Sequence, residues 1–333
     1  MWALTNRTRY GVGKSWIRDK TGAHHWLVAV KATFDIGERG RLRFAPEQAE
    51  PSLLPEFWGD PATSSLRFEA EVTPPKLTTD VLVEGSAYAP EGRPTPYVLA
   101  SLRFATVEKT LVVHGPRVYG DGFSAGEGQP FVSAPIRYEQ AFGGSDLTDP
   151  DPRRHVYDAR NPVGRGVTAS GERRLEQLAH TVEYPGELAS TRGPAGFGPI
   201  ASFWSPRRER AGTYDETWEK TKKPLLPDDY DERAWLSAPD DQWPSRNLHG
   251  GELVQLRNMT PDGLLTLELP KIYPTFTTIF GSRSEEHRAR LGTVLIAPDL
   301  GKLTLVYNTS LPVRATEVDY LDRTIVGEKE YIG

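Results

Sequence analysis

Glycine and proline constrain the fold of this chain more than any other feature of its sequence. They account for 31 and 28 of the 333 residues, about 18% of the chain, against about 12% in average proteins. Glycine lets the backbone leave the helical region at little cost, and proline removes a backbone hydrogen-bond donor. This composition excludes a mostly helical bundle and favours many short elements joined by tight turns.

Strand-like patterns occupy the first half of the chain. Residues 26–34 are rich in β-branched and aromatic side chains and are followed by glycines, and residues 41–44 alternate as a hairpin partner would. Further apolar runs cover residues 80–85, 97–107 and 109–114. We expect these segments to form antiparallel strands.

The second half contains the strongest hairpin signal. Residues 252–257 and 264–269 flank a turn at Pro261-Asp262-Gly263, and such a turn between alternating apolar runs is typical of a β-hairpin. Residues 292–297 and 302–307 form a second candidate strand pair.

Two other segments have helical composition. Residues 207–223 contain few helix breakers, and Thr213 is a candidate N-cap for a helix beginning at Tyr214. Residues 282–291 form a shorter, charged segment of the same kind.

The predicted fold class is mainly β, with antiparallel sandwich- or barrel-like sheets, long glycine- and proline-rich loops and a few short helices. We expect an N-terminal antiparallel β region over residues 1–135 and an ordered, glycine- and proline-rich connecting region over residues 136–199. Residues 200–333 would form a C-terminal β region with short helices. The same patterns are compatible with one continuous domain.

Charge and cysteine content exclude several classes of function. The chain has 40 basic and 45 acidic residues and no cysteine, so it lacks the basic field of a nucleic-acid-binding protein and all thiolate chemistry. No apolar run approaches the roughly 18 residues of a membrane span, and the N-terminal segment has no signal-peptide pattern. We therefore expect no nucleic-acid partner, no membrane insertion and a cytoplasmic location.

Three short motifs suggest chemistry but lack its context. A G-x-S-x-G pattern at residues 122–126 is followed by glycine and proline instead of a helix. The Gly13-Lys14-Ser15 sequence has Thr8 where a phosphate-binding loop needs glycine. The adjacent His24 and His25 would point to opposite faces of a strand. We expect no catalytic residue, no metal ligand, no cofactor and no enzymatic activity.

An enzymatic alternative remains open. A β-rich chain with 8 tryptophans is compatible with a carbohydrate-active or carbohydrate-binding β-sandwich protein in which two carboxylates flank a glycosidic bond. The acidic pairs are Asp228-Asp229, Asp240-Asp241 and Glu285-Glu286. As turn residues or solvated side chains they would have no such role.

Several ordered segments resemble one bacterial protein family. They include residues 28–34, 64–66, 80–90, 92–94, 138–144, 161–164, 194–200, 211–215, 226–231, 238–242 and 250–252, together with Trp218. In this order they resemble the family called domain of unknown function 2169 (DUF2169), from about residue 5 to about residue 310. Ser86 and Gln140 depart from the family pattern, which expects histidine and arginine there.

The resemblance implies an adaptor, or chaperone, of the type VI secretion system. Such a protein binds an effector that carries a PAAR domain and helps to load it on the VgrG spike in the cytoplasm, without catalysis. A structural component of the secretion machine is a third possibility. The family brings no established catalytic residues.

The candidate partner-binding residues are aromatic side chains and the glycines beside them. Aromatic residues are enriched in interface hot spots, although their ordinary role is as core anchors. Glycines either admit a partner backbone or satisfy turn dihedral angles. The candidates are Tyr88, Phe142, Gly143, Gly144, Phe197, Trp204, Tyr214 and Trp218.

Overall fold

The computed structural model describes residues 2–120, 125–169 and 177–329. Within these ranges the chain is mainly β, as predicted. The strands are β1 (Ala3–Asn6), β2 (Gly11–Arg18), β3 (His24–Ile36), β4 (Leu42–Phe44), β5 (Glu56–Phe57), β6 (Leu66–Phe68), β7 (Asp80–Val83), β8 (Ser86–Tyr88), β9 (Tyr97–Phe104), β10 (Val107–His114), β11 (Ser133–Pro135), β12 (Phe142–Gly143), β13 (Ser145–Asp146), β14 (Val156–Tyr157), β15 (Arg165–Gly166), β16 (Val182–Glu183), β17 (Leu253–Arg257), β18 (Leu264–Glu268), β19 (Pro274–Phe280), β20 (Arg283–His287), β21 (Arg290–Ala297), β22 (Lys302–Val313) and β23 (Leu321–Glu328).

The helices of the described residues are short. The α-helices are α1 (Ala189–Arg192), α2 (Arg207–Arg210) and α3 (Glu216–Thr221). Single 3₁₀ turns cover Glu38–Gly40, Pro90–Gly92, Tyr138–Gln140, Pro152–Arg154, Glu232–Trp235, Asp240–Gln242, Pro298–Leu300 and Ala315–Tyr320.

A six-stranded sheet forms the centre of the fold. Its order is β2-β3-β22-β21-β7, and β4 pairs with the end of β3. The longest pairing joins β3 to β22 in antiparallel register from Asp35–Lys302 to His24–Val313. Residues 26–30 of β3 are all buried, which explains their continuous apolar sequence, since a strand covered on both faces needs no polar alternation.

Two further sheets complete the architecture. The five-stranded sheet has the order β16-β10-β9-β17-β18, and burial alternates along β9 because one face packs on the core while the other faces solvent. The four-stranded sheet has the order β1-β23-β19-β20. Each large sheet combines strands of residues 1–135 with strands of residues 200–333, so the two regions share their sheets and one hydrophobic core.

Most predicted strand pairs are present. The hairpin β17–β18, the pair β21–β22 and the hairpin β9–β10 are antiparallel as expected. In the large sheets two pairings between distant parts of the chain are parallel, β1 with β23 and β7 with β21. The antiparallel expectation is therefore wrong for residues 80–85, which contain β7, because sequence patterns of neighbouring segments report only local pairing.

The helix predictions are wrong in extent and, in one case, in type. Residues 207–223 form two separate helices, α2 and α3, because Gly212 between them has a φ of 85°. Asp215 caps α3 by accepting from the backbone N–H of Trp218, so Thr213 is not the N-cap. The segment 282–291 forms β20 and the start of β21. There, pairing with β19 and β22 outweighs the helical preference of its charged residues.

A line of buried polar side chains links the six-stranded sheet to the four-stranded sheet. Trp26 on β3 donates its indole N–H to Thr324 Oγ1 on β23 (2.8 Å), and Thr324 is hydrogen-bonded to Thr278 Oγ1 on β19 (2.7 Å). Thr278 in turn contacts His287 Nε2 on β20 (2.8 Å). Both threonines are fully buried, so these contacts replace all hydration of their hydroxyl groups.

The other end of the line fixes the protonation of His287. Thr309 on β22 donates its hydroxyl hydrogen to the carbonyl of Arg288 (2.9 Å), and its oxygen is therefore free to accept from His287 Nδ1 (2.8 Å). His287 is thus neutral with its hydrogen on Nδ1, and its Nε2 accepts from Thr278. Burial lowers the pKa of His287 to about 4. A second ring proton would also point at a hydroxyl that already donates to the ring.

Replacing His287 with glutamine is expected to remove much of the acid sensitivity of the fold. Burial lowers the pKa of His287 from 6.5 to about 4, so between these pH values His287 is protonated in the unfolded chain and neutral in the folded chain. The difference in pKa contributes about 3 kcal/mol to the free energy of unfolding. This stabilisation is fully present above pH 6.5 and is lost as the pH falls towards 4. In urea unfolding, the stability difference between wild type and His287→Gln should shrink by that order between pH 7 and pH 4.

His249→Gln is the matched control. His249 is exposed, so its replacement should leave the pH dependence of unfolding as in the wild type. Parallel stability curves for wild type and His287→Gln would contradict the assigned neutral state of His287.

Candidate functional site

A groove opens at the edge of the six-stranded sheet, where loops from the first two thirds of the chain meet the turn after β21. It encloses about 280 Å³, slightly less than the 300 Å³ at the lower end of small-molecule pockets. We call it the Trp58 groove. Its lining residues are Trp58, Ser65, Leu66, Arg67, Val83, Glu84, Gly85, Ser86, Pro135, Ile136, Arg137, Tyr138, Gly196, Gly198, Pro199, Leu295, Asp299 and Leu300.

Two guanidinium groups lie against Trp58. The Cζ atom of Arg137 is 3.6 Å from the indole centroid, and that of Arg67 is 4.7 Å away. A guanidinium this close to an indole ring is attracted by its π electrons. The contacts hold Trp58, which follows β5, against the segment after β11.

The two arginines differ in how their charge is compensated. Arg67 donates through Nε and Nη2 to both carboxylate oxygens of Glu84 (3.3 and 3.2 Å) and through Nη1 to Glu56 (3.0 Å). Burial opposes the charge of Arg67, but these bonds outweigh it and raise the pKa of Arg67. Within the described part of the chain, Arg137 has neither an ion pair nor a side-chain hydrogen bond.

Asp299 places a carboxylate in the same groove. Its Oδ2 accepts from the hydroxyl of Ser86 (2.7 Å) and its Oδ1 from the hydroxyl of Tyr88 (2.9 Å). Burial and the neighbouring Asp299 together raise the pKa of Tyr88. Both donors are neutral, and among the described residues no cation pairs with Asp299.

Exposed apolar side chains lie beside the groove. Phe57, which precedes Trp58, stacks on Phe203 at a centroid distance of 6.1 Å, and Phe203 is 50% exposed. Leu300, which lines the groove, is 56% exposed. Such a combination of exposed aromatic and aliphatic groups with nearby charges is typical of protein interaction surfaces.

Tyr138 and Trp204 form the wall behind the groove. Their rings meet edge to face at 5.9 Å, and the Tyr138 hydroxyl donates to the carbonyl of Gly198 (3.2 Å). A Cβ atom at Gly196 would lie 2.8 Å from the Tyr138 ring, whereas one at Gly198 would meet nothing within 4 Å. Gly196 therefore allows the Tyr138 ring to pack, and Gly198 leaves space in the groove.

Asn161 holds Tyr138 from behind. It is fully buried, and its amide donates to the carbonyls of Tyr138 (2.8 Å) and Phe142 (3.0 Å). Gly143 and Gly144 have φ angles of 144° and 101°. A Cβ atom at Gly143 would lie 2.3 Å from the Asn161 carbonyl oxygen. The two glycines therefore satisfy the backbone geometry of this chain. Of the two roles that the sequence suggested for them, this is the one in which glycine supplies a turn dihedral angle.

Three aromatic candidates are core residues. Phe142, Phe197 and Trp204 are 6%, 1% and 1% exposed, so none offers a surface to a partner in the folded chain. They act as core anchors: Trp204 packs edge to face on Tyr138, and Phe142 packs in the same way on His180. Among the aromatic candidates, Tyr88 alone contacts the groove, through its bond to Asp299.

Tyr214 and Trp218 lie in a separate cluster at α3. Their rings meet at 4.7 Å, and the Trp218 indole donates to the carbonyl of Leu225 (2.9 Å). Tyr214 is 52% exposed. Neither residue lines the Trp58 groove.

Sequence reasoning did not identify Trp58, Arg137 or Asp299. The available signal was a tryptophan immediately before the turn residues Gly59-Asp60-Pro61, since a large aromatic side chain beside a tight turn is often half exposed. The meeting of the three side chains is a property of the tertiary fold.

Two of the remaining sequence motifs lie in strands. Gly13-Lys14-Ser15 lies within β2, and His24 and His25 begin β3. The described ranges contain no group of three or more side chains arranged to hold a metal ion, and none of their helices has the length and apolarity to cross a membrane. Residues 122–124 of the G-x-S-x-G pattern lie outside the described residues.

The pair Asp240-Asp241 is divided between two ion pairs. Asp240 binds Arg210 (2.5 Å), whereas Asp241 binds the buried Lys109 (2.8 Å) and accepts from the hydroxyl of Tyr184. Burial lowers the pKa of Lys109 to about 8, although Asp241 opposes this effect. The residues of the other two acidic pairs are also adjacent in sequence, and Glu285 and Glu286 lie on β20, where neighbouring side chains alternate between faces.

Comparison with known proteins identifies one family. A family model described as "Uncharacterized protein conserved in bacteria (DUF2169)" matches residues 21–308. The matched range contains every residue that lines the Trp58 groove. No curated protein and no solved structure matches the chain.

Replacing Asn161 with alanine is expected to destabilise the fold markedly. The change removes the Asn161 donor from the Phe142 carbonyl and one of two donors from the Tyr138 carbonyl, which keeps the N–H of Ala141. Loss of a buried hydrogen-bond partner costs about 1–3 kcal/mol, so urea unfolding should show a fall of at least about 1 kcal/mol for Asn161→Ala. For Gln129→Ala, which removes an exposed amide, the change should stay within about 0.5 kcal/mol. Equal stability of the two variants would contradict the role of Asn161.

Proposed function

The chain belongs to the DUF2169 family, and from this premise we propose that it is a type VI secretion adaptor. It binds an effector that carries a PAAR domain and helps to load that effector on the VgrG spike. The proposal rests on what the family resemblance implies and on one structural observation, the Trp58 groove with the half-exposed Phe203, stacked on the partly buried Phe57, beside it. The adaptor acts in the cytoplasm of the producing cell and is not an enzyme.

The chemistry of the groove suits protein recognition. It combines apolar walls and a half-buried tryptophan with the carboxylate of Glu84, which is paired with Arg67. It also contains the carboxylate of Asp299 and the guanidinium of Arg137, neither of which has a counter-ion among the described residues. A few aromatic and arginine side chains in such a setting supply most of the binding energy of a typical interface, and polar groups around them give specificity. No bond is made or broken in this process.

An adaptor must also release its effector. Loading on the spike requires that the spike, or the secretion step, compete with the adaptor for the same effector. We therefore expect an interface of moderate size around one groove, because such interfaces leave affinity adjustable through a few contacts.

Co-expression with the PAAR-domain protein encoded in the same gene cluster tests the proposal. On size exclusion, the two chains should elute together at a defined ratio, and the effector should be insoluble or degraded when expressed alone. Separate elution with an effector that is stable by itself would overturn the adaptor function and favour the carbohydrate alternative, to be followed by glycan-binding and hydrolysis assays.

Trp58→Ala and Phe203→Ala test whether the groove region is the contact surface. Each should weaken effector binding at least about tenfold, which is the loss expected from truncating a hot-spot side chain. Tyr320→Ala is the matched control, because Tyr320 is also an exposed aromatic residue, at 67% exposure, and does not line the groove. Equal affinities of all three variants would place the contact surface elsewhere.

A further inference from the structure

We propose that the Trp58 groove binds a partner segment in which an acidic and a basic residue flank an apolar residue. This inference rests on the proposed function, since the partner is the effector protein, and it adds the chemistry by which that partner is recognised. Three observations carry it: an uncompensated cation, an uncompensated carboxylate and an apolar surface between loops in one groove.

The uncompensated cation is Arg137. Its guanidinium lies 3.6 Å from the Trp58 centroid and, in the described part of the chain, has no ion pair or side-chain hydrogen bond. Stacking on an indole satisfies one face of the guanidinium and leaves its N–H groups, which lie in the plane of the group, available. Those donors match the two oxygens of a carboxylate. The neighbouring Arg67 differs because Glu84 and Glu56 already occupy its donors.

The uncompensated carboxylate is Asp299. The hydroxyls of Ser86 and Tyr88 orient its two oxygens, but each oxygen retains a lone pair for a further donor. Neutral donors leave the negative charge in place. A lysine or arginine of the partner would therefore gain a charge-assisted hydrogen bond at this position.

Much of the remaining lining is apolar or glycine, beside the polar Ser65, Ser86 and Tyr138 and the ion pair of Arg67 with Glu84. Leu66, Val83 and Ile136 are 2%, 2% and 7% exposed and form the floor, with Leu295. At Gly198 the absence of a side chain leaves open space, so a partner backbone can approach closely. A cavity of about 280 Å³ accommodates an apolar side chain of the partner between the two charged contacts.

The same charges argue against a nucleic acid in this groove. A phosphate backbone needs several cations in succession, whereas here one uncompensated guanidinium shares the groove with the carboxylates of Asp299 and Glu84. The net charge of the chain, −5, also repels polyanions. A protein segment with charges of both signs is the occupant that compensates both groups.

Charge reversal at Arg137 tests the inference on the complex with the co-expressed PAAR-domain protein. Arg137→Glu should weaken binding at least tenfold. Asp299→Asn removes the charge, while its amide can accept from one of the hydroxyls of Ser86 and Tyr88 and donate to the other, and it should weaken binding several-fold. Arg93→Glu is the control, because its side chain is 83% exposed and lies outside the groove. If wild type does not bind, the proposed function itself fails. If wild type and Arg137→Glu bind equally, the function stands and the inference is overturned.

A peptide array identifies the segment directly. Overlapping 15-residue peptides that tile the PAAR-domain protein are probed with labelled wild type and Arg137→Glu, after circular dichroism confirms that both are folded. Wild type should bind peptides with an acidic–apolar–basic order. Replacing the acidic residue of such a peptide with lysine should abolish wild-type binding and restore binding to Arg137→Glu. Capture of uncharged peptides alone, or of none, would overturn the inference.

Discussion

The buried line of hydrogen bonds from Trp26 to the carbonyl of Arg288 fixes how the two central sheets meet. Apolar faces alone can slide past each other, because hydrophobic contact has no preferred direction. Here each hydroxyl in the line donates once and accepts once, and a shift of one strand would leave a buried polar group without a partner. The line ends at Arg288, two residues before β21, the strand that leads into the turn that carries Asp299.

The Trp58 groove contrasts with this line in how its polar groups are satisfied. In the line, every proton has an assigned acceptor within the chain. In the groove, Arg137 and Asp299 share a surface without a counter-ion for either among the described residues. The backbone next to Arg137 is held in place, since Asn161 donates to the carbonyl of Tyr138 and Gly196 allows the Tyr138 ring to pack. Charged groups that lack a counter-ion and are held in place by the fold are suited to recognition of a partner.

The sequence alone predicts the elements whose patterns are local. The continuous apolar run of β3 and the turn between β17 and β18 are visible because burial and turn chemistry mark nearby residues. The segment 282–291 is different, since its strands depend on pairing with β19 and on the contacts of His287. The groove could not be predicted for the same reason. Likewise, burial of Trp204 depends on Tyr138, which sequence spacing does not reveal.

Hydrogen–deuterium exchange on the complex with the PAAR-domain protein maps the contact surface without any substitution. If the Trp58 groove is that surface, exchange should slow on binding in the segments that form it, residues 58–67, 84–88, 135–138, 196–199 and 298–300. The outer face of the five-stranded sheet should exchange as in the free chain. Protection confined to that face or to α3, with unchanged exchange in the groove segments, would show that the effector binds elsewhere.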